Sequence, residues 1–222
     1  MRPTIATFFT ILFDAVVPPR RSDMLVRTLT LKDLHDLSQE DSLPALPAQA
    51  GQAGTLPYHN KHIRALIWEI KYRKNAHALN LAGEYLTEAV LGALADEVGI
   101  ALLIPVPMHK KRRRERGHNQ CETLCESLLA HFYDRELLEY RKDALVRTRH
   151  TLPQQALPQQ KRLHNVAHSM QANAKVVSGR VCFIIDDVST TGATLKEAQR
   201  ALKKAGARQV FCLPLARVPY IE

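Results

Sequence analysis

The sequence is poor in aromatic residues and in cysteine, and both shortages exclude classes of protein. Aromatic residues make up 6% of the 222 residues, which is few for a surface that binds single-stranded nucleic acid by stacking its bases. No two cysteines form a CxxC pair, so the pattern is not that of a disulfide framework. We interpret them as buried thiols of a cytosolic protein: Cys121, Cys125, Cys182 and Cys212.

A metal cluster is the alternative interpretation for two of these cysteines. Cys121 and Cys125 would share one face of a helix with His118. No further ligand is apparent beside them, whereas a structural zinc site takes four. We therefore favour two small core residues on a helix.

The chain also lacks a membrane-length apolar run and a nucleoside triphosphatase motif. Phe8 to Phe13 is too short to span a bilayer, and no small-residue cleavage site follows it before Pro18 and Pro19. We expect a helix packed on the domain, no transmembrane segment and a cytoplasmic location. The absence of GxxxxGKS or GxxxxGKT excludes a P-loop ATPase or GTPase.

The length suits one domain with an extension. Residues 1–55 are expected to form an accessory region, in which 26–37 has the spacing of a short helix and 42–56 is a linker rich in Pro, Ala, Gly and Gln. Residues 56–222 are expected to form the main domain. It opens with helical spacing over 58–74 and again over 78–96.

Basic residues outnumber acidic ones, and the excess is concentrated in one block. The formal net charge is +9, from 31 Lys and Arg against 22 Asp and Glu. Residues 109–118, HKKRRRERGH, contain six basic residues and one acidic residue, which is +5 of that total. Such a block favours a polyanion, either a diphosphate or a nucleic acid, and a solvated helix start is the alternative.

The stretch 183–195, FIIDDVSTTGATL, predicts a phosphate site. A short apolar run ending at Ile185 is typical of a buried parallel strand, and helical spacing follows the loop. Ligands of open α/β sheets bind at the carboxyl ends of the strands, where loop amides and the next helix meet. The hydroxyls around Gly192 suit a phosphate, whereas Asp186 and Asp187 would face ribose hydroxyls or Mg²⁺. A structural strand and helix cap are the alternative.

This stretch resembles the phosphoribosyl pyrophosphate (PRPP) signature of type I phosphoribosyltransferases, in which apolar residues precede an acidic pair and a TTGAT phosphate loop. The resemblance implies an α/β fold, a mostly parallel twisted sheet flanked by helices, that binds Mg²⁺ together with PRPP. It implies that Asp186 and Asp187 are catalytic and contact the ribose. The loop that would hold the 5-phosphate consists of Ser189, Thr190, Thr191, Gly192, Ala193 and Thr194.

A second apolar strand, Ile100 to Val106, leads into the basic block. Together they are similar to a box of the ComF/GntX family of phosphoribosyltransferase-like proteins, which reads VPVP, a histidine, basic residues, then RERGxNQ. The box corresponds to the pyrophosphate loop of the wider fold, and arginine forks suit a diphosphate. The resemblance assigns to that diphosphate His109, Lys111, Arg112, Arg116, Gly117, Asn119 and Gln120.

A third segment is similar to another box of this family. Leu145 to Arg149 has the pattern of a strand, and the TLPQQAL run follows it. In type I phosphoribosyltransferases the corresponding flexible loop closes over the substrate and excludes water. A solvated strand edge is the alternative for the two arginines of the strand. The polar members of the box are Arg147, Arg149, Thr151, Gln154 and Arg162.

One departure from the family concerns zinc. The family usually opens with CxxC pairs that bind zinc, often just after a PPR sequence. Here PPR at 18–20 is followed by RSD, so no zinc is expected. The accessory region would then replace the metal by ordinary packing.

Several functions fit these features. The resemblance implies a ComF-like protein that binds PRPP with Mg²⁺ and is linked to DNA uptake in natural transformation. Its partners would include single-stranded DNA and a competence helicase or DNA-channel protein. A nucleotide-salvage phosphoribosyltransferase is one alternative, and a non-catalytic PRPP sensor or DNA-binding competence protein is another. No residue of the sequence identifies the phosphoribosyl acceptor.

Overall fold

The computed structural model describes residues 22–40, 55–149 and 166–218. The described helices are α1 (Ser22–Arg27), α2 (Leu31–Glu40), α3 (Lys61–Trp68), α4 (Ala76–Leu94), α5 (Lys110–Arg116), α6 (Gln120–His131), α7 (Ala174–Val177) and α8 (Ala193–Lys204). The described strands are β1 (Leu56–Pro57), β2 (Ala101–Pro105), β3 (Leu138–Tyr140), β4 (Leu145–Arg147), β5 (Met170–Ala172), β6 (Val181–Ser189) and β7 (Gln209–Arg217).

Five of these strands form a parallel sheet in the order β1-β7-β6-β2-β3. The longest ladder joins β6 to β7, from Val181 opposite Gln209 to Ser189 opposite Arg217. Because parallel neighbours need a crossover, α8 connects β6 to β7 over one face of the sheet. The α/β architecture that the resemblance implies, a mostly parallel sheet flanked by helices, is confirmed.

The sheet is buried on both faces, which is why β2 and the first five residues of β6 are continuously apolar. Successive side chains of a strand point to opposite faces. Phe183 and Ile185 accordingly pack in one core cluster with α1 to α4 and α6, whereas Ile184 packs in a second cluster with α8. The cysteines are buried free thiols, as predicted: Cys121, Cys125, Cys182 and Cys212.

A separate antiparallel pair, β4 with β5, lies against α8. Glu197 of α8 holds this hairpin, because its Oε1 accepts the backbone N–H of Met170 at 3.1 Å. The strand predicted over 145–149 is thus present in its first part, over Leu145–Arg147, but outside the main sheet.

The single helix predicted over 26–37 is two helices with a break between them. Thr30 and Asp33 form a reciprocal cap, since the Thr30 N–H donates to Asp33 Oδ2 at 2.8 Å and the Asp33 N–H donates to Thr30 Oγ1 at 3.2 Å. Val26 and Leu34 are fully buried in the first core cluster. The domain division into 1–55 and 56–222 stays a prediction.

The helix predicted over 58–74 begins later and ends in an unusual turn. Asn60 caps α3 by accepting the His62 N–H at 2.8 Å. After α3 the chain forms a π-helical segment, Glu69–Arg73, which Lys74 ends in the left-handed conformation at φ 49°. The next helix, predicted over 78–96, spans Ala76–Leu94 and is capped by Asn75. π-Helical turns are rare and frequently lie at functional sites.

Gly83 makes close packing of α4 against α6 possible, which we predict to be a sensitive point of the fold. A Cβ at Gly83 would lie 2.7 Å from the carbonyl carbon of Ser127, so Gly83→Ala is expected to lower the free energy of unfolding by about 1–3 kcal/mol. Gly92 in the same helix has nothing within 4 Å of such a Cβ, so Gly92→Ala should raise it by about 0.5–1 kcal/mol. Urea unfolding of both variants checks this, and a stabilised Gly83→Ala would contradict it.

Candidate functional site

An open pocket lies at the carboxyl ends of β2 and β6. Its lining includes the turn and helix after β2, the start of α6, the end of β6 with the following loop, and the π-helical segment before α4. Arg147, at the end of β4, closes a further side. The basic block follows β2 in the sequence, and the acidic pair with its hydroxyl-rich loop belongs to β6 and the loop after it. They meet in this pocket because β2 and β6 are adjacent and parallel.

The acidic pair lies at the floor of this pocket. Asp186 is buried and Asp187 is half-buried. Asp186 Oδ1 accepts the Asp187 N–H at 3.0 Å, and Asp187 Oδ1 accepts the Val188 N–H at 2.6 Å. Burial, and then the charge of Asp187, raise the pKa of Asp186 above its ordinary range. Strand β6 continues through both aspartates to Ser189, whereas the sequence pattern predicts that it ends before them.

Lys71 is a pocket residue that no sequence motif indicated. Its Nζ lies 3.1 Å from Asp187 Oδ2, and the two side chains are only 13% and 16% exposed. Burial is the largest single effect and lowers the pKa of the Lys71 ammonium, but the charge of Asp187, the hydrogen bond to it and the nearby Tyr58 together outweigh burial and raise that pKa. The basic run 71–74 was visible in the sequence, but nothing local distinguishes Lys71 from its exposed neighbours.

The loop after β6 presents unused polar groups at the start of α8. Gly192 has φ 71° and precedes the helix, whose first turn receives no side-chain cap. The hydroxyls of Ser189 and Thr191 are buried without a hydrogen-bond partner in the described chain. Thr190 and Thr194 line the pocket. An uncapped helix start beside unsatisfied hydroxyls is suited to an oxyanion.

Helix α5 divides the basic block into a pocket face and a solvent face. His109 begins the helix, with its Nδ1 accepting the Lys111 N–H at 3.2 Å, and Gly117 ends it at φ 78°. Arg112 and Arg116, one helical turn apart, are half-buried and line the pocket. Burial, and then the charge of Arg116, lower the pKa of Arg112.

The other cations of this block face away from the pocket. Arg113 binds Glu122 through two contacts of 2.7 and 2.9 Å. Lys110, Lys111 and Arg114 are exposed. Of the predicted diphosphate residues, Lys111 and Gly117 are outside the pocket lining, and the other five line it: His109, Arg112, Arg116, Asn119 and Gln120.

The start of α6 contributes two amide side chains. Asn119 caps the helix by accepting the Cys121 N–H at 3.2 Å, and its Nδ2 donates to the Val106 carbonyl at 3.0 Å. Gln120 is buried, lines the pocket and has an Nε2 without a partner among the described residues. Because this amide can donate, it adds to the anion-binding side of the pocket.

Two residues of the predicted flexible loop are described. Arg147 Nε donates to the Pro107 carbonyl at 3.2 Å, which joins β4 to the turn after β2. Arg149 is exposed and donates to the Ala167 carbonyl at 2.7 Å. The remaining residues of that prediction lie outside the described ranges: Thr151, Gln154 and Arg162.

The pocket offers carboxylate oxygens but no complete metal site. In residues 22–40, 55–149 and 166–218, no three His, Cys, Asp or Glu side chains are grouped to hold a metal ion. Asp186 and Asp187 are hard oxygen ligands of the kind that Mg²⁺ prefers, and a bound diphosphate would have to supply the others. Within the same residues, no helix has both the length and the apolar character needed to cross a bilayer.

Comparison with known proteins defines the class first. Residues 139–219 match the phosphoribosyl transferase domain model, and this stretch contains the acidic pair and the hydroxyl-rich loop. The chain is therefore an α/β protein with a type I phosphoribosyltransferase domain.

The relatives then define the family. The chain is 31% identical over 153 residues to the DNA utilization protein YhgH of Escherichia coli O157:H7, covering 67% of this chain and 65% of that protein. It is 32% identical over 117 residues to competence protein F of Haemophilus influenzae, covering 52% and 49%. The chain belongs to the ComF family of phosphoribosyltransferase-like proteins.

The matched segments span about two thirds and about half the length of these two relatives. Among solved structures, a Trypanosoma cruzi hypoxanthine phosphoribosyl transferase is 12% identical, with 69% of this chain and 76% of that chain covered and a TM-score of 0.39. That TM-score is too low to bear on the function of this chain.

Proposed function

We propose that the pocket binds PRPP together with Mg²⁺. The supporting observation is that one pocket brings the acidic pair together with two groups suited to anions. One group is the uncapped start of α8 with the hydroxyls of Thr190 and Thr194, and the other is Arg112 with Arg116. A ribose with a phosphate at one end and a diphosphate at the other needs both groups.

Each group of pocket residues would have its own role in a phosphoribosyl transfer. The start of α8 and its hydroxyls would fix the 5-phosphate, and Asp187 would accept hydrogen bonds from the ribose hydroxyls. Arg112 and Arg116 would neutralise the departing diphosphate as C1 of the ribose develops positive charge. Mg²⁺ bound to the diphosphate would supply further neutralisation of charge when present.

Removal of the acidic pair tests this proposal. We expect wild-type protein to bind PRPP in titration calorimetry only when Mg²⁺ is present. Asp186→Asn with Asp187→Asn should weaken that binding at least tenfold, because the ribose hydroxyls lose charged hydrogen-bond acceptors and the metal loses charged oxygen ligands. A matched control is Asp143→Asn, since Asp143 is exposed and outside the pocket. Equal PRPP binding by the double variant and the wild type would refute the assignment of the pair.

Turnover is a separate question from binding. Release of pyrophosphate from PRPP in the presence of candidate acceptors would support a phosphoribosyltransferase, including one of nucleotide salvage. Tight Mg²⁺-dependent binding with no pyrophosphate released from any acceptor would support a PRPP sensor instead.

Binding of single-stranded DNA is the second candidate function. The observation that favours it is the solvent face of α5, where Lys110, Lys111 and Arg114 are exposed. The relatives named competence protein F and DNA utilization protein fit such a role. A cytoplasmic location and a helicase or DNA-channel protein as partner would fit the same role. Cations of this kind bind phosphates irrespective of base sequence.

Salt dependence distinguishes this binding from PRPP recognition. Lys110→Ala with Arg114→Ala is expected to weaken binding of an oligothymidylate. The slope of log affinity against log salt should fall by about 1.4, which is about 0.7 for each of the two phosphates that are no longer neutralised. Gel-shift titrations over a salt series measure both quantities. An unchanged slope would exclude the solvent face of α5 as the DNA site.

A further inference from the structure

The only tryptophan of the chain, Trp68, lies against a pocket residue and outside the two hydrophobic clusters. The rings of Trp68 and Tyr72 are 5.5 Å apart between centroids and tilted by 38°, and the Arg73 guanidinium carbon lies 5.1 Å from the Trp68 ring centroid. We call these three residues the rim stack. Tyr72 is its inner member, because it also lines the pocket.

The two aromatic rings of the rim stack lie outside the hydrophobic core of the described residues. The apolar residues of α3 and the following turn that face the core are fully buried, with Ile63 and Ile70 among them. Neither Trp68 nor Tyr72 packs in the two hydrophobic clusters of the described chain. Tyr72 is 44% exposed. Large aromatic side chains contribute most to stability when buried, so their position at a pocket rim favours a ligand.

The surroundings of Tyr72 define the chemistry of that ligand. Tyr72 follows Lys71, whose ammonium binds Asp187, and it lines the same pocket as Arg112. The stack therefore lies directly beside the positions assigned to ribose and diphosphate. A flat π surface next to a sugar-phosphate site is suited to a planar ring, and π faces stack on every nucleobase.

We propose that the rim stack binds a nucleobase, with Tyr72 in face contact and Trp68 and Arg73 supporting its ring from behind. This rests on the proposed function, since it identifies the class of acceptor or nucleotide held beside the sugar-phosphate site. The base belongs either to a free nucleotide or to a single strand of nucleic acid, and both present the same planar surface.

The test compares probes with and without a base. Titration calorimetry of the full chain with ribose 5-phosphate, adenosine 5′-monophosphate and an oligothymidylate measures each affinity. Trp68 emission reports a change at the neighbouring Tyr72 ring, and no other tryptophan contributes to it. We expect the nucleotide or the oligothymidylate to quench Trp68. We also expect Tyr72→Ala to weaken that probe about tenfold or more. Ribose 5-phosphate should bind equally to both proteins.

Two further variants separate stacking from other effects. Tyr72→Phe keeps the ring and should keep the affinity, whereas Tyr133→Ala removes a tyrosine that is 99% exposed and outside the pocket, and should change nothing. Weaker binding of adenosine 5′-monophosphate to Tyr72→Ala identifies a free nucleotide as the ligand. Weaker binding of the oligothymidylate alone identifies a single strand. If base-containing probes bind Tyr72→Ala as tightly as wild type, the rim stack is not a base site.

The probes also separate this proposal from the proposed function. If ribose 5-phosphate binds but no base-containing probe depends on Tyr72, only the proposal for the rim stack is overturned. Failure of both PRPP and ribose 5-phosphate to bind overturns the sugar-phosphate site, and the oligothymidylate assay then decides whether the stack binds bases by itself.

Discussion

Replacing Arg112 and Arg116 together by alanine is expected to weaken PRPP binding by about 100-fold or more. Each charge-assisted hydrogen bond to an anion is worth about 1.5–3 kcal/mol, so two lost guanidinium groups cost at least about 3 kcal/mol. Both side chains are half-buried on the pocket face of α5, where water screens charge less than at an exposed surface. Titration calorimetry with PRPP and Mg²⁺ measures the loss.

The matched control removes the same charge from the opposite face of the same helix. Lys110→Ala with Arg114→Ala also lowers the net charge by two, but both side chains are exposed. PRPP affinity should then fall by less than about threefold, since exposed charges contribute only about 0–1 kcal/mol. Equal losses in the two double variants would show that net charge, and not the geometry of α5, determines binding.

Lys71→Met is expected to lower the free energy of unfolding by about 2–4 kcal/mol. The variant would leave Asp187 half-buried beside Asp186 without its cation, and removing one partner of a buried ion pair is strongly destabilising. Urea unfolding near neutral pH measures the change. Lys61→Met is the control, because Lys61 is exposed at the start of α3 and its removal should change stability by less than about 0.5 kcal/mol.

A double-mutant cycle separates the ion pair from side-chain packing. Asp187→Asn in the Lys71→Met background removes the uncompensated charge, so the double variant should be more stable than Lys71→Met alone. Additive losses would show that Lys71 stabilises the fold by packing of its aliphatic chain and not by its contact with Asp187.

Most of the sheet could be predicted from the sequence because its signals are local. Strands buried on both faces carry continuous apolar runs, so β2 and the first part of β6 were recognisable. The hydroxyl-rich loop and the helix after it were likewise visible in consecutive residues. Helix ends were less accurate: the helix predicted over 78–96 spans Ala76–Leu94, and Asn75 caps its start.

An α/β protein with a loop suited to phosphate, an acidic pair and a basic block could be predicted from local patterns, since each depends on neighbours in the chain. The set of side chains that share the pocket depends on the tertiary structure. It selected Arg112 and Arg116 from the basic block through the helical period of α5, and left Lys111 in solvent. It brought Lys71 to Asp187 and Tyr72 to the rim from a segment before α4. Such contacts depend on how helices pack on the sheet, and no pattern of consecutive residues records that packing.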